Sequence, residues 1–283
     1  MHPLDHAGIT ARPVAELTSA QSAAAMEHCF AGYIVPVRVT AESWERRFRS
    51  EHLDPFASRV YMHEGRYAAI LFITRRGRTS RVGGMAVAKE LRGTGLGKRV
   101  MREAIADARA RGDHALLLEV IEQNTVAVNL YASLGFRPVR RLVGWRWTPP
   151  ASAEGAADAL REVDPLEVSR VMHRECEPDL PWMLAPETAA ATTLPARAFA
   201  LEDRAYAMVN PQAETVTLFA IVVPRAYRRQ GWGTRMLHAL AAAFPGRPWQ
   251  VVAVAPEELA PDFFVRAGWE RSPITQFDMR LDL

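Results

Sequence analysis

The chain has 283 residues, 49% apolar and 24% charged, a globular composition long enough for one large domain or two of about 140 residues with cores of their own. No apolar run approaches the ~20 residues of a membrane span, and Met1-His2-Pro3-Leu4-Asp5 has no basic segment ahead of an apolar core, so a soluble protein of the cytoplasm is expected. Cys29 and Cys176 are too few for a disulfide scaffold, and the eight histidines show no ligand spacing, so no metal site is expected.

In chain order, residues 8–15 read as a first strand, and Thr18-Ser19-Ala20-Gln21 opens an alanine-rich helix reaching about Ala31. Thr40 is a good N-cap with Glu42 in the first turn of a second helix, whose apolar face includes Trp44 and Phe48. Residues 60–64 and 67–73 read as strands around a tight turn, and Val82 to Val87 as the next strand, where Gly83-Gly84 suggests a bulge or a close backbone approach by a ligand. Leu96, Val100, Met101, Ala104, Ile105 and Ala108 recur at helical spacing, which predicts a helix over 97–111 that Gly112 stops. Leu116 to Ile121 is a buried strand by composition, Thr125 to Leu134 a short helix closed by Gly135, and Arg137 to Trp147 the final strands. Thr148 to Gly155 has linker composition, which divides the chain into domains 1–150 and 151–283. The first carries 22 Lys+Arg against 14 Asp+Glu and the second 13 against 18. The arginines of the basic half lack an aromatic stacking set, so a polyphosphate ligand, or docking against the acidic half, is expected rather than nucleic acid.

Arg92-Gly93-Thr94-Gly95-Leu96-Gly97 lies between a strand and a helix, and Arg228-Arg229-Gln230-Gly231-Trp232-Gly233 repeats it 136 residues later. Glycines at this spacing turn the backbone tightly and point N–H groups at a ligand, and the following helix adds partial positive charge. A pyrophosphate suits such a turn. Around the second turn, Ala198 to Leu201, Ala205 to Val209 and Thr215 to Val223 read as strands, 233–244 as a helix, Trp249 to Ala255 as a strand and 261–267 as a short helix. Gly135 matches Gly268 at an offset of 133, so the second half looks like a shortened copy of the first.

Arg92-x-x-Gly95-x-Gly97 followed by Asn124-x-x-Ala127-x-x-Leu130-Tyr131-x-x-x-Gly135-Phe136 resembles the GCN5-related N-acetyltransferase (GNAT) family, and the whole chain looks like a tandem of two such domains. The resemblance covers about 8–147 well and 160–283 more weakly. It implies an α+β fold with a mixed, mostly antiparallel sheet flanked by helices in each domain, and a V-shaped split between the strands at Met85–Val87 and Leu116–Ile121. It also implies acetyl-CoA as co-substrate, its pyrophosphate on Arg92, Gly93, Thr94, Gly95, Leu96, Gly97 and Lys98, its pantetheine along the backbone of Met85 and Val87, and Asn124 at its helix start capping or holding CoA. The family reaction is direct attack of an amine on the thioester, without a covalent intermediate.

Two side chains are candidates for the chemistry. Glu119 is the only charge in its strand, and desolvation there favours a proton acceptor; the alternative is an ion pair with an arginine such as Arg137. Tyr131 would protonate the departing thiolate; the alternative is a core tyrosine. The twelve-residue spacing of Glu119 and Tyr131 is similar to that in bacterial ribosomal-protein N-terminal acetyltransferases of this family. In the second copy the same positions hold Val252 and Phe264, Asn124 becomes Glu257, and the strand Phe219-Ala220-Ile221-Val222-Val223 lacks a glycine pair, so that domain is expected to be catalytically silent. The expected acceptor is a small-molecule amine, with His28, Tyr33 and Trp44 as candidate lining residues. The alternatives are a protein N-terminus, or no turnover at all in an acyl-CoA sensor or scaffold.

Overall fold

The computed structural model describes residues 8–149 and 159–283. His2, His6, the first five residues and the linker positions 150–155 lie outside the described residues. The chain forms two compact units, one made of residues 1–139 with 277–283 and the other of residues 140–276.

The first unit begins with β1 (Ile9–Pro13), α1 (Ser19–Cys29), α2 (Ala41–Ser50), β2 (Arg59–His63), β3 (Arg66–Arg76) and β4 (Thr79–Val87). It continues with α3 (Leu96–Ala110), β5 (Ala115–Ile121) and α4 (Thr125–Ser133). Both early helices start at reciprocal threonine capping boxes, Thr18 with Gln21 and Thr40 with Ser43. Strand alternation then sorts the core onto two faces. Leu71 and Ile73 pack with Val100, Met101 and Leu116 under α3, while Ile70 and Phe72 pack with Trp44 and Phe48 under α1 and α2.

The strand order is β1-β2-β3-β4-β5, followed by the end of β12 (Glu270–Asp282), whose Met279 and Leu281 are buried in the α3-side core. Residues 137–147 are one continuous strand, β6 (Arg137–Trp147), rather than the several expected; from Arg140 onward it belongs to the second unit.

The second unit contains β7 (Leu160–Val163), α5 (Pro165–Glu175), α6 (Pro186–Ala190), β8 (Arg197–Leu201), β9 (Ala205–Asn210) and β10 (Val216–Val222). After these come α7 (Trp232–Ala243), β11 (Trp249–Pro256) and α8 (Pro261–Arg266). Its order is β7-β8-β9-β10-β11-β6, with α7 packed in one core and α5 in another. The second half is therefore not a shortened copy. Its first strand and helix are present, with α5 capped by Asp164 ahead of Pro165 and burying Val168, Val171 and Met172.

Candidate active site

β4 and β5 run parallel and pair from Thr79/Ala115 to Val82/Leu118, and there the pairing stops. Past that point β4 keeps only its β3 partners, Met85 opposite Leu71 and Val87 opposite Ala69. Among the described residues the β4 edge that faces away from β3 thus has no strand partner beyond Val82, which leaves a fork between β4 and β5. The expected bulge is present: the β3–β4 register skips Gly83, between Phe72/Gly84 and Ile73/Val82. A Cβ on Gly83 would lie 3.1 Å from Thr74, and 3.3 Å from both Arg81 and Phe48.

The glycine turn follows β4. Gly93 and Gly95 adopt φ of +77° and +92°, a left-handed backbone that glycine takes without steric cost. Among the described residues no acceptor takes the N–H groups of Gly93, Thr94, Gly95, Leu96, Gly97 or Lys98, and the first helical bond is Arg99 N–H to Gly95 O at 3.1 Å. Thr94 Oγ1 donates to Leu91 O at 2.8 Å, and Lys98 is exposed in the first turn of α3. Unpaired amides at a helix N-terminus, beside a gap between parallel strands, fit a pyrophosphate with an extended arm in the gap.

Arg92 braces the turn through main-chain carbonyls. Its guanidinium donates to Val87 O at 3.0 Å, Cys29 O at 3.1 Å and Ala31 O at 2.8 Å, tying the turn to β4 and to the end of α1. Arg228 repeats the brace in the second unit, donating to Val223 O at 2.9 Å and Glu175 O at 2.6 Å. The carbonyl set explains an arginine here: a planar fork of donors satisfies several acceptors at once.

Asn124 caps α4, its side chain accepting from Ala127 N–H at 3.3 Å. Tyr131 is buried beside Phe136, and its hydroxyl makes no hydrogen bond among the described residues. Burial, and then the neighbouring Tyr33, push its phenol well above the ordinary tyrosine value. Burial raises the Tyr33 phenol as well, and its side-chain interaction with Asn124 partly offsets this. Trp44 belongs to the α1/α2 core, and His28 sits at the surface 3.5 Å from Glu90.

Glu119 is in an ion pair, and its partner is Arg81 of β4 rather than Arg137. Arg81 Nε lies 2.9 and 2.7 Å from the two carboxylate oxygens, and a terminal guanidinium nitrogen lies 2.6 Å from one of them. The same guanidinium reaches Glu51 at 2.8 Å, and Glu51 accepts from Arg47 Nε at 2.7 Å. Burial alone would raise the Glu51 carboxyl, but Arg47 and Arg81 hold it below the usual carboxylate range. No motif in the sequence marks Glu51 or Arg81. The available signal was that Arg81 and Glu119 are each the lone charge of an otherwise uncharged strand, and such charges require each other when buried.

In the second unit β10 and β11 also part early, after Val216/Trp249 and Thr217/Gln250, and the register bulges at Phe219. Arg229 and Gly231 have φ of 62° and 84°. The fork thus forms without a glycine pair. Phe264, in the place of Tyr131, stacks on Trp145, and Glu257, in the place of Asn124, is paired with Arg271 and Arg141.

Residues 26–136 match the acetyltransferase (GNAT) family. This region is a GNAT domain. Mycothiol acetyltransferase of Thermobispora bispora is 44% identical over 64 residues, a stretch covering 23% of this chain and 19% of that protein. The fold of the whole chain is that of GNAT proteins. A GCN5-related N-acetyltransferase from Sphaerobacter thermophilus superposes with a TM-score of 0.69 at 16% identity, covering 97% of this chain and 95% of that one. A tandem GNAT protein from the clavulanic acid biosynthesis pathway superposes at 0.66 and 16% identity, covering 97% and 98%. Among the described residues no group of three or more His, Cys, Asp or Glu is placed to hold a metal, and no helix is long and apolar enough to cross a membrane.

Proposed function

We propose that the first unit is an acetyl-CoA-dependent N-acetyltransferase acting on a small-molecule primary amine. The observation that carries this reading is the junction of a strand fork at Val82/Leu118 with a turn whose amides from Gly93 to Lys98 have no acceptor. In this reading the turn takes the pyrophosphate, and the β4 edge at Met85 and Val87 hydrogen-bonds the pantetheine. The amine nitrogen attacks the acetyl carbonyl carbon, the C–S bond breaks, and the ammonium proton is lost to solvent. Tyr131 donates its proton to the departing thiolate and regains one through solvent from the ammonium; burial keeps the phenol in its protonated form at neutral pH.

A small acceptor is favoured because the partial relative is named for mycothiol rather than for a protein. The second unit has neither phenol nor carboxylate at the corresponding positions, and we assign it no chemistry.

The test is a calorimetric titration with acetyl-CoA, followed by screening of small amines against short peptides. One site per chain, lost on Gly95→Trp, with turnover on a small amine supports the reading. Turnover confined to peptides makes the protein an N-terminal acetyltransferase. Binding without turnover makes it a sensor, and no binding overturns the proposal.

A further inference from the structure

The four charges Arg47, Glu51, Arg81 and Glu119 alternate in sign along one connected chain of contacts between α2, β4 and β5. Their placement follows the strand register. Arg81 is opposite Leu117, one residue before the last paired position Val82/Leu118, and Glu119 is the first residue of β5 beyond it. Val82, Leu118 and Val120 belong to the α3-side core, so alternation sends Arg81 and Glu119 to the α2 face. The ion pair thus spans the two strands where their backbone ladder ends. It is deeply buried: the side chains of Arg81, Glu51 and Glu119 are 5%, 0% and 8% exposed. At the outer end, Arg47 also donates to the carbonyl of the bulged Gly83 at 3.3 Å.

Burying charge is costly, and a buried ion pair seldom outperforms apolar packing of the same volume. What this set does that apolar residues cannot is hold two diverging strands and a bulge at a fixed separation by directional bonds. We propose that Arg81, with Glu51 and Glu119, is a side-chain clasp that sets the opening of the β4–β5 fork for the thioester end of the acyl-CoA, which makes these three positioning residues rather than proton carriers. The inference rests on the acetyl-CoA reading above.

The clasp touches the fork and not the glycine turn, so it acts on one end of the ligand alone. Wild type, Arg81→Met, Glu119→Gln and the double variant would each be titrated with acetyl-CoA and with adenosine 3′-phosphate 5′-diphosphate, the CoA fragment that lacks pantetheine. Acetyl-CoA affinity is expected to fall about tenfold or more in each single variant, while the fragment binds within about twofold of wild type. The double variant is expected to lose no more than the worse single one, because one clasp is broken once. Equal losses for both ligands, or unchanged acetyl-CoA affinity in variants with wild-type circular dichroism, would overturn the clasp. If Arg81→Met does not fold, Glu119→Gln, nearly identical in shape, decides the question by the same pair of titrations. A wild type that binds neither ligand sinks the acetyl-CoA reading itself, an outcome distinct from the failure of the clasp.

Discussion

At the scale of single residues, burial and partners decide what each candidate does. Tyr131 has a buried ring and an uncommitted hydroxyl, so Tyr131→Phe removes a proton donor with little change in packing. Turnover should fall about 10²-fold or more while acetyl-CoA affinity holds; equal turnover would remove Tyr131 from the reaction. Both oxygens of Glu119 are held by Arg81, so in the proposed reaction the amine is expected to reach the thioester already neutral. A log plot of kcat/KM for the amine should therefore rise with pH at a slope of about one up to the amine's own pKa, whereas a plateau set well below that value would indicate a protein base. Stability should show two pH limits. The carboxyls of Glu51, Asp54 and Asp113 lie below their usual values despite burial, because guanidinium and hydrogen-bond partners offset it, so their contribution is complete above the ordinary carboxylate range and is lost as pH falls through the lowered values. The phenol of Tyr131 is raised, so stability also declines as pH climbs past the ordinary tyrosine value near 10. Unfolding followed from pH 3 to 11 checks both limits.

At the scale of elements, the fork, the bulge and the turn are one assembly held by arginines. Arg92 joins the turn to β4 and α1 through three carbonyls, a structural use of a side chain that the motif alone marks as a phosphate ligand. Arg92→Ala should lower stability by about 1–3 kcal/mol, and Arg228→Ala should act similarly because its brace has the same form. A melt unchanged by Arg92→Ala would leave the phosphate role as its explanation. The bulge is equally specific. Gly83→Ala places a methyl 3.1–3.3 Å from Thr74, Phe48 and Arg81, so α2 or the strand must shift; acetyl-CoA binding should weaken together with a loss of about 1–3 kcal/mol.

At the scale of the whole molecule, each unit is completed by residues distant in sequence. The last seven residues, Phe277–Leu283, belong to the first unit and bury Met279 and Leu281 in its core, while β6 from Arg140 onward belongs to the second. Leu281 also contacts the Gly135 turn, and Leu283 N–H donates to His114 O at 3.2 Å. Deleting 277–283 removes two buried side chains, worth about 2–5 kcal/mol each, from the unit that holds the candidate site. Calorimetric melting of the truncated chain should show the first unit destabilised and acetyl-CoA binding lost. A melting profile like that of the intact chain would contradict this assignment. Linker composition marks 150/151, whereas the compact units part at 139/140, because a strand's membership depends on its ladder neighbours, which local composition does not record.

What the sequence determined by itself is whatever depends on neighbours along the chain. The apolar spacing of α3, the threonine caps at Thr18 and Thr40, the glycine turn at Gly93 and Gly95, and the duplication at offsets of 136 and 133 are all local patterns. So was the GNAT resemblance, because both of its motifs are short and contiguous. Tertiary structure decided which side chains meet. Arg81 and Glu119 are 38 residues apart, Arg92 reaches Cys29 across 63, and the C-terminal strand joins a sheet begun at residue 9. Parallel pairing of β4 with β5 and strand alternation fix those meetings, and they determine whether a lone carboxylate is a base or a clasp.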